Sequence, residues 1–139
     1  VNLKYFLMYM EKFSGEVANS KEFNNELNDE EKNVVFVLFY AKWCGHCKDM
    51  KEDWDNLNEF EMKNFKMMCI EDSNIDPELK KTHKIGGFPT LKIYNNGKFS
   101  DYESGRTFND FEKHFSKHFV KCKTCGKKKK DPNVRTSNI

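Results

Sequence analysis

Seven apolar residues in unbroken succession, Val34-Val35-Phe36-Val37-Leu38-Phe39-Tyr40, constrain this chain more than any other feature. A strand with one wet face alternates apolar and polar residues, so a run without alternation predicts a central strand covered on both faces. Directly after it, Trp43-Cys44-Gly45-His46-Cys47 places two thiols one helical turn apart. Met50, Trp54, Leu57 and Phe60 then recur at helical spacing, with Lys48, Asp49, Glu52, Asp53 and Asp55 between them, which predicts an amphipathic helix opened by the dithiol. A C-x-x-C alone is weak, being equally half of a zinc site, but one that leaves a buried strand and opens a helix marks a redox pair.

The chemistry explains the spacing. The thiolate is the nucleophile in disulfide exchange, and at the first turn of a helix Cys44 meets unpaired N–H groups and the positive end of the macrodipole. Cys44 is therefore expected to be exposed and to attack. Cys47, three residues on, is close enough to form a disulfide with Cys44 and is expected to face inward and resolve. His46, when protonated, adds positive charge beside the Cys44 thiolate and makes the disulfide the better oxidant.

Phe39-Tyr40-Ala41-Lys42-Trp43-Cys44-Gly45-His46-Cys47-Lys48 closely resembles the active site of a protein disulfide isomerase catalytic domain, within the thioredoxin superfamily. The likeness continues in Gly86-Gly87-Phe88-Pro89-Thr90-Leu91-Lys92-Ile93-Tyr94, similar to the family's cis-proline segment, and in Tyr102-Glu103-Ser104-Gly105-Arg106, similar to its last strand and following loop. It covers roughly residues 13–119. The resemblance implies an α/β class, a thioredoxin-like fold with a central mixed β-sheet flanked by helices on both faces. It implies a cis Pro89 facing the dithiol, where the ring excludes metal and the preceding backbone pairs with substrate as a strand. Trp43, Phe88, Pro89 and Thr90 are then the substrate-binding residues, and Arg106 matches a loop arginine that lowers the pKa of the second cysteine. A solvent-exposed Arg106 without that role stays open. Protein disulfide isomerase lies about 90 mV above thioredoxin in potential, about 4 kcal/mol for two electrons.

Further elements follow along the chain. Residues 16–18 suggest a short first strand, after which Asn19 or Ser20 caps a helix with Glu22 at capping-box spacing and Phe23 and Leu27 inside. Residues 65–70 read as the next strand, and Asp76-Pro77-Glu78 starts a short helix with proline in its first turn. Residues 90–94 and 99–102 form a hairpin around Asn95-Asn96-Gly97. Thr107-Phe108-Asn109-Asp110 opens the last helix, whose Phe111, Phe115 and Phe119 face the sheet. The organisation expected is an N-terminal extension over 1–12, the domain over 13–119, and a flexible basic tail over 120–139.

Two departures from the family stand out. The buried acid that members carry six residues before the first cysteine is Leu38 here. With Asp72 aligned to the family's acid upstream of the cis-proline, the lysine partner of that buried acid falls at Ile70, with a slip of one residue possible in the alignment. Both ends of a buried ion pair have then become apolar together, which is often neutral or stabilising.

Three of the five cysteines lie outside the dithiol. Cys69 ends a buried strand and reads as a small apolar side chain, with a sensor thiol as the alternative. Cys122 and Cys125 form a second C-x-x-C without the strand and helix that frame the first. Incidental thiols, a shuttle disulfide exchanging with Cys44 and Cys47, and a His2Cys2 metal site with His114 and His118 all stay open; His114 and His118 precede Cys122 at helical spacing. No resident metal is assigned, and His114, bordering the phenylalanine face, fits a packed core-edge position better than a ligand. Residues 120–139 carry seven basic and one acidic side chain, +6 against −4 for the rest, which the total of +2 hides. Such a run usually forms a solvated tail, with anchoring to nucleic acid, anionic lipid or an acidic partner as the alternatives, and with no aromatics interleaved it argues against specific nucleic-acid recognition.

At 139 residues, 37% hydrophobic and 33% charged, with 13 Phe supplying much of the core, the chain fits one soluble domain without a membrane span. The apolar stretch over 3–10 suits an extra helical turn or the remnant of a leader, no complete signal peptide is present, and Thr136-Ser137-Asn138-Ile139 is not a retention ending. The function expected is a monomeric thiol–disulfide oxidoreductase on protein thiols and disulfides. It needs no cofactor beyond the Cys44–Cys47 disulfide and is recharged by an oxidase, glutathione or a reductase. The catalytic set is Cys44, Gly45, His46, Cys47 and Arg106. A thioredoxin-like reductant and a non-catalytic chaperone or scaffold with a partner-binding tail remain alternatives. The histidine of the dipeptide favours an oxidising lumen such as the endoplasmic reticulum, with the cytoplasm as alternative.

Overall fold

β1 (Val34–Tyr40) is apolar throughout because helices cover both faces of the sheet around it. Phe36, Leu38 and Tyr40 join one buried cluster, with Met50, Trp54 and Leu57 of α2 (Gly45–Leu57) and Phe111 of α4 (Phe108–His114). Val35, Val37 and Phe39 join the other, with Phe23 of α1 (Ser20–Leu27) and Leu79 of α3 (Pro77–Thr82). The computed structural model describes residues 12–28, 34–122 and 126–130. The expectations for residues 1–11, for Cys125 and for residues 131–139 lie outside these.

The sheet runs β2-β1-β3-β4, with β2 (Phe65–Glu71), β3 (Thr90–Asn95) and β4 (Lys98–Asp101). β2 is parallel to β1, while β3 is antiparallel to β1 and β4 to β3, so the sheet is mixed as expected. The turn between β3 and β4 is the two residues Asn96 and Gly97, both at positive φ (51° and 80°), the pairing that a tight hairpin with right-handed twist needs. The expected first strand is a single parallel bridge, Glu16 to Cys69. Asn19 is the cap of α1, its side chain accepting from the Glu22 N–H. Among the described residues no helix is long and apolar enough to cross a membrane.

Two expectations at the C-terminal end need correction. The last helix does not continue to Phe119: α4 stops at His114 and a 3-10 turn follows over Ser116–His118. Segment 61–63 takes the backbone groups that a longer helix would have used, with Lys63 N–H on the His118 carbonyl (2.7 Å) and Val120 N–H on the Glu61 carbonyl (3.0 Å). Phe111, Phe115 and Phe119 are nonetheless all buried. Nor is the basic run a loose tail over its described part. β5 (Lys121–Cys122) and β6 (Gly126–Lys127) pair, and Glu61 and Lys130 N–H groups bond the Lys128 and Glu59 carbonyls at 2.8 and 2.7 Å. The folded body therefore extends past 119 to at least residue 130.

His83, at the end of α3, sits among the rings of Phe23, Phe39 and Phe99. Burial, with Lys92 nearby, holds its pKa below the ordinary 6.5. Folding thus favours the neutral ring, so this contribution to stability is present above 6.5 and is lost as pH falls below it. The melting temperature is expected to drop on acidification through that range, and to drop less in His83→Phe. A drop of equal size in the variant would refute the assignment.

Candidate active site

The turn from β1 into α2 builds the site. Cys44 is the N-cap of α2, in extended conformation (φ −86°, ψ 114°), and its Sγ accepts the Cys47 N–H at 3.3 Å. A sulfur in that position meets the donors that a helix start leaves unpaired. On its other side the Cys44 thiol donates to the Phe88 carbonyl at 3.4 Å. Phe88 precedes Pro89, and the peptide between them is cis. The Thr90 hydroxyl donates to the Gly87 carbonyl at 2.6 Å and holds that loop closed.

One expectation changes here: Cys44 is not an open thiol. It is 5% exposed against 0% for Cys47, because the Phe88 backbone stands over its sulfur. The difference between the two cysteines lies in their partners more than in their exposure. Burial, together with the hydrogen bond and charge of Cys44, pushes the Cys47 thiol up to about 12, while the Ala41 backbone and the Arg106 charge act in the opposite direction. Arg106 is itself exposed and still close enough to act on Cys47. Its loop is pinned at both ends, by the Tyr102 hydroxyl on the Gly105 carbonyl (2.7 Å) and by the Thr107–Asp110 capping box. A Cβ at Gly105 would run into the Asp110 carboxylate, so a larger residue there would displace that carboxylate from the capping box.

Gly45 and His46 are exposed in the first turn of α2. Trp43, 71% exposed, stands edge-on to Phe88 with ring centres 5.9 Å apart. Cys44, Cys47, Trp43, Phe88, Pro89, Thr90 and Arg106 thus come from three loops to one end of the sheet. The remaining candidates lie elsewhere. His114 packs on Tyr102 and Phe115, the His118 Nδ1 is 3.0 Å from the Lys63 carbonyl, and Cys122 is in a strand. The helical row that would have aligned them ends at His114, and among the described residues no three His, Cys, Asp or Glu converge to hold a metal.

Glu71 was not anticipated. It is 3% exposed at the end of β2, its Oε2 accepts the Lys42 N–H at 3.1 Å, and its Oε1 takes the Ser73 N–H and hydroxyl. A buried carboxylate thereby fixes the residue two before Cys44. The parallel register that sets Glu71 beside Tyr40 brings it there, and only strand pairing reveals that register.

The same register corrects the partner assigned to Leu38. Leu38 pairs with Cys69, and both lie in the cluster that holds Cys47. Ile70 lies in the cluster on the opposite face. The position facing the missing acid is therefore Cys69, one residue from the one expected, and its thiol points to the carbonyls of Phe13 (3.7 Å) and Ser14 (3.5 Å).

A mixed sheet with helices on both faces, a dithiol at a helix N-terminus and a cis-proline loop against its first sulfur define a thioredoxin-type domain. The family model for thioredoxin matches residues 14–117, and the chain belongs to that family. It is 36% identical to protein disulfide-isomerase 1 of Caenorhabditis elegans over 68% of its own length and 20% of that protein's. With human protein disulfide-isomerase A6 it shares 35% over 67% of its length and 24% of that protein's, so it spans about a quarter or less of both relatives. Among solved structures it is similar in fold to the first thioredoxin domain of mouse protein disulfide-isomerase A4 (TM-score 0.60, 23% identity, 87% of this chain and 82% of that one).

Proposed function

We propose that this domain exchanges thiols and disulfides with protein substrates, as an oxidase or isomerase of the protein disulfide isomerase kind. The observation that carries this reading is the unequal pair: Cys44 accepts the Cys47 N–H at a helix start, while burial drives the Cys47 thiol up to about 12. In the oxidising direction a substrate thiolate attacks Cys44 Sγ and the Cys44–Cys47 bond breaks, with Cys47 leaving as the thiolate. A second substrate thiolate then displaces Cys44, so that the substrate gains the disulfide and the domain keeps both electrons. In isomerisation the Cys44 thiolate attacks a wrong substrate disulfide, and either a freed substrate thiol or Cys47 displaces it.

Trp43, Phe88, Pro89 and Thr90 form the substrate seat, with the Phe88 carbonyl already 3.4 Å from the reacting sulfur. Gly45 and His46 leave the approach open, and a protonated His46 favours the reduced pair. An oxidising secretory compartment suits such a couple, and an oxidase, glutathione or a reductase would reset it. A redox potential measured against glutathione tests the direction: about −180 mV is expected for this reading, whereas about −270 mV would assign a reductant. In Cys47→Ala, substrate is expected to stay on Cys44 as a mixed disulfide visible on non-reducing gels. If none is trapped, the domain is not an exchange catalyst.

A further inference from the structure

At the far end of α2 from the dithiol, the paired strands β5 and β6 and residues 128–130 cover the loop that follows Leu57. They lie beyond residue 117, where the family match stops. Between them and the loop is a groove of about 900 Å³ lined by Phe60, Phe119, Lys121, Lys127 and Lys129. Thirteen helical residues, at about 1.5 Å each, put it roughly 20 Å from Cys44.

We propose that this groove is a second protein-binding site that takes an acidic polypeptide segment carrying an apolar side chain. Its floor is apolar, Phe60 and Phe119 meeting edge to face at 5.7 Å. Its mouth is cationic, since Lys127 Nζ lies 5.4 Å from the Phe119 ring centre and Lys129 Nζ 5.6 Å from that of Phe60. Lys127 also pairs with Glu112 (2.7 Å) and Lys128 with Glu61 (3.1 Å). Among the described residues Lys121 and Lys129 meet no carboxylate, so an incoming one completes them.

The surroundings favour a peptide over a nucleic acid or a membrane. The Phe60 ring is stacked on Phe108 and covered by Lys129 on its faces, so the half-buried ring leaves an edge for an apolar side chain to rest against and no open face on which a base could stack. Glu61 and Glu112 stand among the lysines and repel a continuous polyanion or an anionic surface, whereas separate carboxylates flanking one apolar side chain fit between them. Here the fold has interleaved aromatics with a lysine run that contains none in sequence.

The test uses the full chain and a fluorescein-labelled, cysteine-free peptide in which single Glu residues, spaced by Gly and Ser, flank a central Phe, followed by anisotropy. Saturable binding is expected, weakened by added salt, and weakened about tenfold in Lys121→Glu/Lys129→Glu, since two exposed charges change from attracting the peptide's carboxylates to repelling them. Lys121→Arg/Lys129→Arg should retain it, and exchange of a small disulfide at Cys44 should be unchanged in all variants. If charge reversal disturbs folding, Lys121→Gln/Lys129→Gln and amide shifts of Phe60 and Phe119 on peptide addition give the same readout. The proposal is overturned by absent or non-saturable binding or by equal binding of the Lys-for-Glu peptide. Tighter binding of oligothymidylate or of anionic vesicles through the same lysines overturns it as well.

Discussion

Release of a substrate held on Cys44 as a mixed disulfide is expected to accelerate about tenfold per pH unit from about pH 6 to about pH 9, roughly a thousandfold in all. Resolution requires the Cys47 thiolate, and burial, the largest cause of that thiol's rise, still acts when Cys44 is held in the mixed disulfide, so the thiol stays above its ordinary value and the reactive fraction rises in proportion to hydroxide over that range. The Ala41 backbone and, after it, the Arg106 charge favour the thiolate from outside the pair, and the second can be removed by substitution, so Arg106→Ala should slow release severalfold at every pH, and Arg106→Lys should restore part of the rate. Acid quenching of the preformed mixed disulfide over time measures both. A flat profile would mean that proton loss from Cys47 does not limit release.

Leu38→Glu should cost about 3 to 5 kcal/mol of stability at neutral pH, because it buries a carboxylate with no partner. Leu38 is fully buried between Cys69 on β2 and Leu91 on β3. The introduced acid would have a raised pKa, so its protonated form is tolerated, and the loss should shrink as pH falls. Adding Cys69→Lys should recover part of it, since the two positions share a face. Ile70→Lys should add a second penalty, since its side chain enters the other cluster. Urea unfolding of the single and double variants decides this, and recovery by Ile70→Lys in place of Cys69→Lys would overturn the register argument. The same carboxylate, where ionised, should take the Cys47 proton and speed release.

What was legible in the sequence was what local periodicity determines. The unbroken run of β1, the helix after the dithiol and the Asn96–Gly97 turn each follow from contacts within a few residues. What escaped depends on pairing between distant segments. The side on which Cys69 and Ile70 fall is reversed by a one-residue slip, so an alignment uncertain by one residue could not assign the partner of Leu38. The end of α4 at His114 and the docking of residues 128–130 both depend on segment 59–63, which carries no periodic signal of its own. Glu71 reads as an ordinary acid until the register sets it beside Tyr40 and beneath the Lys42 amide. The burial of Cys44 likewise comes from Phe88, forty-four residues away.

The outer strands bear on how such a domain behaves beside others. An unpaired strand edge invites edge-to-edge aggregation, so a domain built on an open sheet has to protect both of its borders. The outer edge of β2 is occupied at its centre, where Cys69 bonds Gly15 and Val17 through its own N–H and carbonyl (3.1 and 2.9 Å). At the opposite edge β4 is only four residues long and mostly exposed, and it ends in Asp101, paired across to Lys92 at 2.8 Å. Each border of the sheet thus carries its own guard against a neighbouring strand, on β2 the segment over 15–17 and on β4 shortness and charge, the two devices that discourage edge-to-edge joining without another element of structure.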